Sequence, residues 1–196
     1  MKKTPLLAIS IGCPSGIGPE VSLAAAAASP HRVLLVGDRA TIERAAGRRG
    51  VETFVEVDGP ASAAKLPAGA IGLWTSATRL TKRAAPGKPD REAGAAQLAW
   101  IDEATDLVSQ GVADALVTGP VSKHAIASSG ARGASKFLGH TEHLAHRLGA
   151  REVVMAFWAD KLVTSLVTTH LPIAKVPRAI TKESVAVSAY WLARLL

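Results

Sequence analysis

Short aliphatic runs alternate with amphipathic stretches along almost the whole chain. Residues 6–11 form the first run, nearly unbroken in apolar character, as a strand buried on both faces requires. The turn Pro14-Ser15-Gly16-Ile17-Gly18-Pro19 follows. Pro19 and Glu20 then open a helix expected to run to residue 28, because a first helical turn tolerates proline and favours a carboxylate. The next run, 32–36, predicts a second strand that ends at Gly37-Asp38, followed by a helix over about 41–48. Strands are expected at 53–57 and 70–74, with a loop at 86–90. A long helix is predicted over 92–110, where Ala96, Ala99, Trp100, Ala104 and Val108 recur on one stripe.

The alternation continues with a strand at 114–118, broken by Gly119-Pro120, and a short helix reaching 129. A glycine-rich loop over 130–139 leads to a helix at 141–148. Two β-rich runs, 153–157 and 162–168, are separated by Ala159-Asp160-Lys161 and predict a hairpin. A helix over 184–196 ends the sequence. Apolar strands alternating with helices predict an α/β fold in three layers, a mainly parallel sheet with helices on both faces, plus an antiparallel hairpin. A first α/β domain is expected over 1–129 and a second over 130–196. In such folds ligands gather beyond the carboxyl ends of the strands.

Composition narrows the class. The chain has 196 residues, 48% of them hydrophobic and 20% charged, which excludes a disordered chain. Its single cysteine excludes a disulfide framework and a cysteine-ligated zinc site. No run is long enough to span a membrane. The net charge of +7 is compatible with nucleic acid, a membrane surface or a phosphorylated small substrate. The densest basic stretch, Arg79, Lys82, Arg83, Lys88 and Arg91, has no aromatic residue on which a base could stack, so it reads as a solvated or phosphate-contacting loop. Lys2-Lys3, the following apolar run and Cys13 resemble a secretory lipoprotein leader only faintly, since the run barely reaches the minimum length and no leucine stands three places before Cys13; a buried first strand explains the same residues, so a cytoplasmic location is expected.

Four strand-end segments carry candidate chemistry. Gly12-Cys13-Pro14-Ser15-Gly16-Ile17-Gly18-Pro19-Glu20 meets neither the dinucleotide fingerprint nor the phosphate-loop pattern, which leaves a tight turn or an anion-binding turn open. Lys123, after Val117-Thr118-Gly119-Pro120-Val121-Ser122, is placed to neutralise an anion or to serve as an acid or base; a solvated lysine at a helix start is the alternative. His140, His143 and His146 lie at i, i+3 and i+6 and span about 120° of helix surface, too wide for one tetrahedral ion. His143 and His146 therefore read as surface residues, whereas His140 with Thr141 stands at a helix N-terminus that suits phosphate or carboxylate. His170, in Thr168-Thr169-His170-Leu171-Pro172 at the end of an apolar strand, is either structural or a metal ligand.

Together, in this order, these segments strongly resemble the 4-hydroxythreonine-4-phosphate dehydrogenase family of pyridoxal phosphate synthesis, through essentially the whole chain. The resemblance implies a two-domain architecture like that of isocitrate and isopropylmalate dehydrogenases. It implies oxidation of 4-phosphooxy-L-threonine and loss of carbon dioxide to give 3-amino-2-oxopropyl phosphate, with NAD or NADP and a divalent metal (Zn, Mg or Co). By the same resemblance His140 and Thr141 bind substrate, His170 is a metal ligand, and Lys123 is catalytic; the cofactor-binding residues stay unassigned. A homodimer sharing ligands across its interface is implied, with no nucleic acid and no membrane. Relatives that act on another phosphorylated hydroxy acid, such as a 4-phosphotetronate, or on a dihydrodiol dicarboxylate are the alternative, as is a non-catalytic anion-binding remnant. Two departures stand out. The family usually has aspartate where this chain has Cys13. Family members are also longer, so the chain is expected to lack a C-terminal part that carries two further metal-ligating histidines, phosphate-binding basic residues and most of the nicotinamide site. It would then be a fragment, a split-gene product or a degenerate copy.

Overall fold

The structure, a computed structural model, describes residues 4–49, 51 and 53–196; Lys2 and Lys3 lie outside the described residues. Five parallel strands form the main sheet in the order β3-β4-β2-β1-β5. They are β1 (Leu6–Ser10), β2 (Arg32–Gly37), β3 (Val55–Glu56), β4 (Ile71–Thr75) and β5 (Ala115–Thr118). β2 is buried at every position because it lies between β1 and β4 and is covered on both faces. Its side chains alternate between two cores. Val33 and Leu35 join Leu23, Ile42 and Trp100, while Leu34 and Val36 join Leu66, Ala104 and Leu107. This is the α/β sheet between helical layers that the aliphatic runs predict.

The covering helices are α1 (Gly18–Ala28), α2 (Arg39–Arg49), α3 (Pro60–Ala64), α4 (Arg91–Ser109) and α5 (Lys123–Ser128). Helix α4 starts at an Asp90 cap whose carboxylate accepts from the Ala93 amide at 2.9 Å, which also holds that carboxyl below its usual range. On the expected stripe, Ala96, Trp100 and Ala104 are buried while Ala99 and Val108 are partly so. The third strand expected from the sequence, 53–57, shortens to two paired residues at the exposed edge beside β4. Helix α3 has no counterpart in the sequence reading.

The chain divides into two compact units, Met1–Leu144 and Ala145–Leu196. The division falls later than the expected boundary at 129/130, because Ala134 and Phe137 of the glycine-rich segment are buried against Leu98, Ile101 and Ile126. Helix α6 (His140–Arg147) spans the division. The second unit contains an antiparallel hairpin, β6 (Ala156–Ala159) and β7 (Leu162–Ser165), then α7 (Val176–Ala179) and α8 (Lys182–Leu195). Ser188 of α8 meets Ser165 of β7 through their hydroxyls at 2.8 Å. Much of this unit's apolar surface is open, including Trp158 at 62% and Ile173 at 86% exposure. Among the described residues no helix is long and apolar enough to cross a membrane.

Candidate functional site

Strand order locates the site. From β1 the chain winds through β2 towards β4, then returns by α4 to place β5 on the other side of β1. The order therefore reverses between β1 and β5, and the crevice beyond their carboxyl ends is where an open parallel sheet offers ligand space. The loops leaving these two strands pack backbone to backbone. The Cys13 amide donates to the Pro120 carbonyl at 2.8 Å, and the Gly119 amide to the Ser10 carbonyl at 2.8 Å. Gly12 has φ +77°, and a Cβ there would stand 2.5 Å from the Pro120 oxygen, so only glycine fits. Cys13, Ser15, Pro120, Val121 and Ser122 line an open cleft of about 290 Å³ at this point. Burial pushes the Cys13 thiol up, against three weaker backbone hydrogen bonds, so it stays protonated.

Lys123 is the first residue of α5 and is exposed. Its position is set from α4. The buried Gln97 donates to the Ala93 carbonyl and accepts from the Ser122 amide, both at 2.8 Å. Ser122 in turn caps α5, its hydroxyl accepting from the Ala125 amide at 3.3 Å. Gly94 allows α4 to lie directly on the Ala125 carbonyl, since a Cβ there would be 2.0 Å from that oxygen. The Lys123 amine reaches Gly139: a Cβ on Gly139 would stand 3.2 Å from Nζ and 3.0 Å from Oε2 of Glu142. The structure thus brings Lys123 beside the loop that opens α6.

His140 begins α6 and is half-buried, with Thr141 next to it also half-buried. Its Nε2 is buried and has no hydrogen-bond partner among the described residues. Burial, then the positive charge of Lys123, then His143 hold the imidazole below its ordinary value of 6.5, so it is neutral at pH 7. Phe137 meets the ring edge-on at 6.0 Å. His143 corrects the surface assignment made from spacing: its Nε2 lies 2.6 Å from the Asp102 carboxylate of α4, and Phe137 packs on it at 5.4 Å. His146 is exposed, as its position on the helix implies. A helix N-terminus, an unpartnered neutral imidazole and an ammonium therefore converge, an arrangement able to hold an anion bearing a hydroxyl.

His170 lies in the second unit. β7 ends at Ser165, so this histidine follows the strand in a loop rather than ending it. It is exposed and has φ +55°, a left-handed conformation uncommon outside glycine although enriched for histidine. Among the described residues no three His, Cys, Asp or Glu side chains are grouped as a metal site would require. Sequence reasoning missed Gln97, Asp102 and Gly94, which act through partners remote in the chain; only the apolar stripe of α4 marked their helix.

Comparison with known proteins matches residues 29–196 to the family described as pyridoxal phosphate biosynthetic protein PdxA. The 4-hydroxythreonine-4-phosphate dehydrogenase of Desulfosudis oleivorans is 34% identical over 95% of this chain and 55% of its own length. That of Acidithiobacillus ferrooxidans is 38% identical over 91% of this chain and 53% of its own. The crystal structure of a 4-hydroxythreonine-4-phosphate dehydrogenase from Burkholderia phymatum superposes with a TM-score of 0.82 at 29% identity, covering 96% of this chain and 57% of that one. The chain thus spans about half the length of the relatives it matches. With its parallel sheet, the crevice between β1 and β5 and this match over most of its length, the chain belongs to the family of pyridoxal phosphate biosynthetic proteins PdxA.

Proposed function

We propose that the chain supplies the substrate-binding half of an NAD-dependent dehydrogenase that oxidises and decarboxylates 4-phosphooxy-L-threonine. The observation that carries this reading is the buried, unpartnered Nε2 of His140 beside Lys123 at the start of α6. The amides of the first turn and the Thr141 hydroxyl receive an anionic group, each charge-assisted hydrogen bond contributing about 1.5–3 kcal/mol. The neutral His140 ring offers one nitrogen to a substrate hydroxyl. Lys123 neutralises the charge that develops on the substrate oxygen when the secondary alcohol becomes a ketone. After carbon dioxide leaves, the same ammonium can return a proton to the enolate carbon.

His170 supplies one imidazole, which falls short of the roughly three protein ligands of a catalytic metal centre. The described residues therefore do not form such a centre by themselves. In this proposal the remaining ligands and the nicotinamide site belong to the portion of the relatives that this chain does not span, and a second copy completes the assembly. A bound divalent cation would polarise the substrate hydroxyl and carboxylate.

Calorimetric titration with 4-phosphooxy-L-threonine tests the reading. His140→Ala is expected to weaken binding at least tenfold, about 1.4 kcal/mol, and His146→Ala to leave it within twofold. Equal losses from the two substitutions would overturn the assignment of His140. The 196-residue chain alone should form negligible NADH from this substrate; substantial metal-dependent turnover would refute the division of labour.

A further inference from the structure

On the other side of the Gly12–Pro19 turn from the β1–β5 cleft lies a small, partly open pocket of about 50 Å³. Ser15, Glu20, Thr41, Arg44, Arg48 and Arg83 line it, drawn from the first turn, α1, α2 and the basic loop before α4. Ser15 and Gly16 line both spaces, so the turn is the wall between them. The space is about that of a few waters or one tetrahedral oxyanion.

Its charge is one-sided. Three guanidinium groups face one carboxylate. Arg48 pairs with Glu20 at 2.7 Å. Arg44 donates to the Thr41 hydroxyl at 3.0 Å, and that hydroxyl donates to Asp38 behind it at 2.8 Å. The Asp38 carboxylate also takes the Thr41 amide at 2.9 Å and does not line the pocket. Arg83 has no ion-pair partner among the described residues. Like charges gathered in one place repel, and an anion that joins them relieves the repulsion.

Two polar atoms point to a ligand independently of the arginines. Ser15 is only 5% exposed, and its hydroxyl has no hydrogen-bond partner among the described residues. The Oε2 atom of Glu20 is likewise buried without a partner among them. Orphaned buried polar groups are costly, so their persistence at one site calls for a missing partner. The wall that carries Ser15 is tied to the basic loop, because its carbonyl accepts from the Gly87 amide at 2.7 Å. Guanidinium groups and a hydroxyl donor match phosphoryl oxygens, and a protonated oxygen on the same ligand satisfies Glu20.

We propose that this pocket is a second anion site, separate from the first turn of α6, that takes the phosphoryl group of a phosphate monoester or of a nucleotide. It gives a role to Arg83 in the basic stretch, which the proposed reaction does not use. The test is titration of the 196-residue chain with inorganic phosphate, carried out in the His140→Ala background so that the site at α6 does not contribute. Saturable binding is expected there, weakened at least tenfold by Arg83→Gln, an exposed change that leaves the core intact. Ser15→Ala should weaken it by a smaller factor. Adenosine monophosphate binding more tightly than phosphate, with the same Arg83 dependence, would identify a nucleotide as the source. Affinity equal to that of phosphate would identify a simple monoester. Absence of saturable binding in the His140→Ala background, or binding indifferent to Arg83→Gln, would overturn the proposal while leaving the α6 reading untouched.

Discussion

Two glycines inside helices predict opposite responses to the same substitution. Gly94 lies in α4, where an added Cβ would stand 2.0 Å from the Ala125 oxygen and 2.5 Å from its carbonyl carbon. Both are backbone atoms, so no rotamer change relieves the clash. To reach ordinary contact at 3.4 Å, α5 must retreat by about 1.4 Å. That movement opens the packing of Leu98 and Ile101 against Ile126 and Phe137. Overpacking of this kind costs ~1–3 kcal/mol, and alanine recovers at most ~1 kcal/mol of helix propensity. Gly94→Ala is thus expected to destabilise by ~2 kcal/mol at the upper end, a fall in Tm of ~4–8 °C for a chain of this size. Gly47, in α2, has nothing among the described residues within 4 Å of an added Cβ. Gly47→Ala should therefore stabilise by ~0.5–1 kcal/mol, raising Tm by a few degrees. Thermal unfolding followed by circular dichroism reads both signs. Because α5 begins at Lys123, Gly94→Ala should also weaken ligand binding, whereas Gly47→Ala should not. An equal rise in Tm for the two variants would refute the close approach of α4 and α5.

Three further outcomes are expected. Gln97→Leu leaves the Ser122 amide without its acceptor and should cost ~1–3 kcal/mol in urea unfolding; an unchanged midpoint would show that the bond contributes nothing. Burial, then Lys123, then His143 depress the folded-state His140 imidazole, so the unfolded chain binds this proton more readily. Its contribution to stability is complete above the ordinary value of 6.5 and is lost as pH falls from there towards the folded value. The stability of the protein relative to His140→Gln should accordingly shrink between neutral and mildly acidic pH, and parallel curves would contradict this. Finally, with Phe157, Trp158, Ile173 and Tyr190 exposed on the second unit, the chain should self-associate in sedimentation experiments as concentration rises. A monomer stable to concentration would count against it.

Much of the first unit was legible in residue order alone. The unbroken aliphatic run of β2 demands burial on both faces, and burial on both faces demands a parallel sheet between helical layers. The stripe Ala96, Trp100 and Ala104 likewise demands a helix with one face on that sheet. Proline and glycine at 119–120, and the glycines of the first turn, marked strand ends because backbone geometry there is a local property. Pairings between distant positions were not legible. The contact of His143 with Asp102, 41 residues apart, turns an assumed surface histidine into a fixed one. Gln97 meets Ser122 and Gly94 meets Ala125 only because α4 and α5 cross. Helix α3 escaped notice because five residues are too few to display a helical period. Periodicity reports how often a side chain turns inward, not what it meets there. The identity of the partner is decided by how the elements pack, and it was packing that placed Lys123 beside Gly139 and left the Nε2 of His140 without a partner.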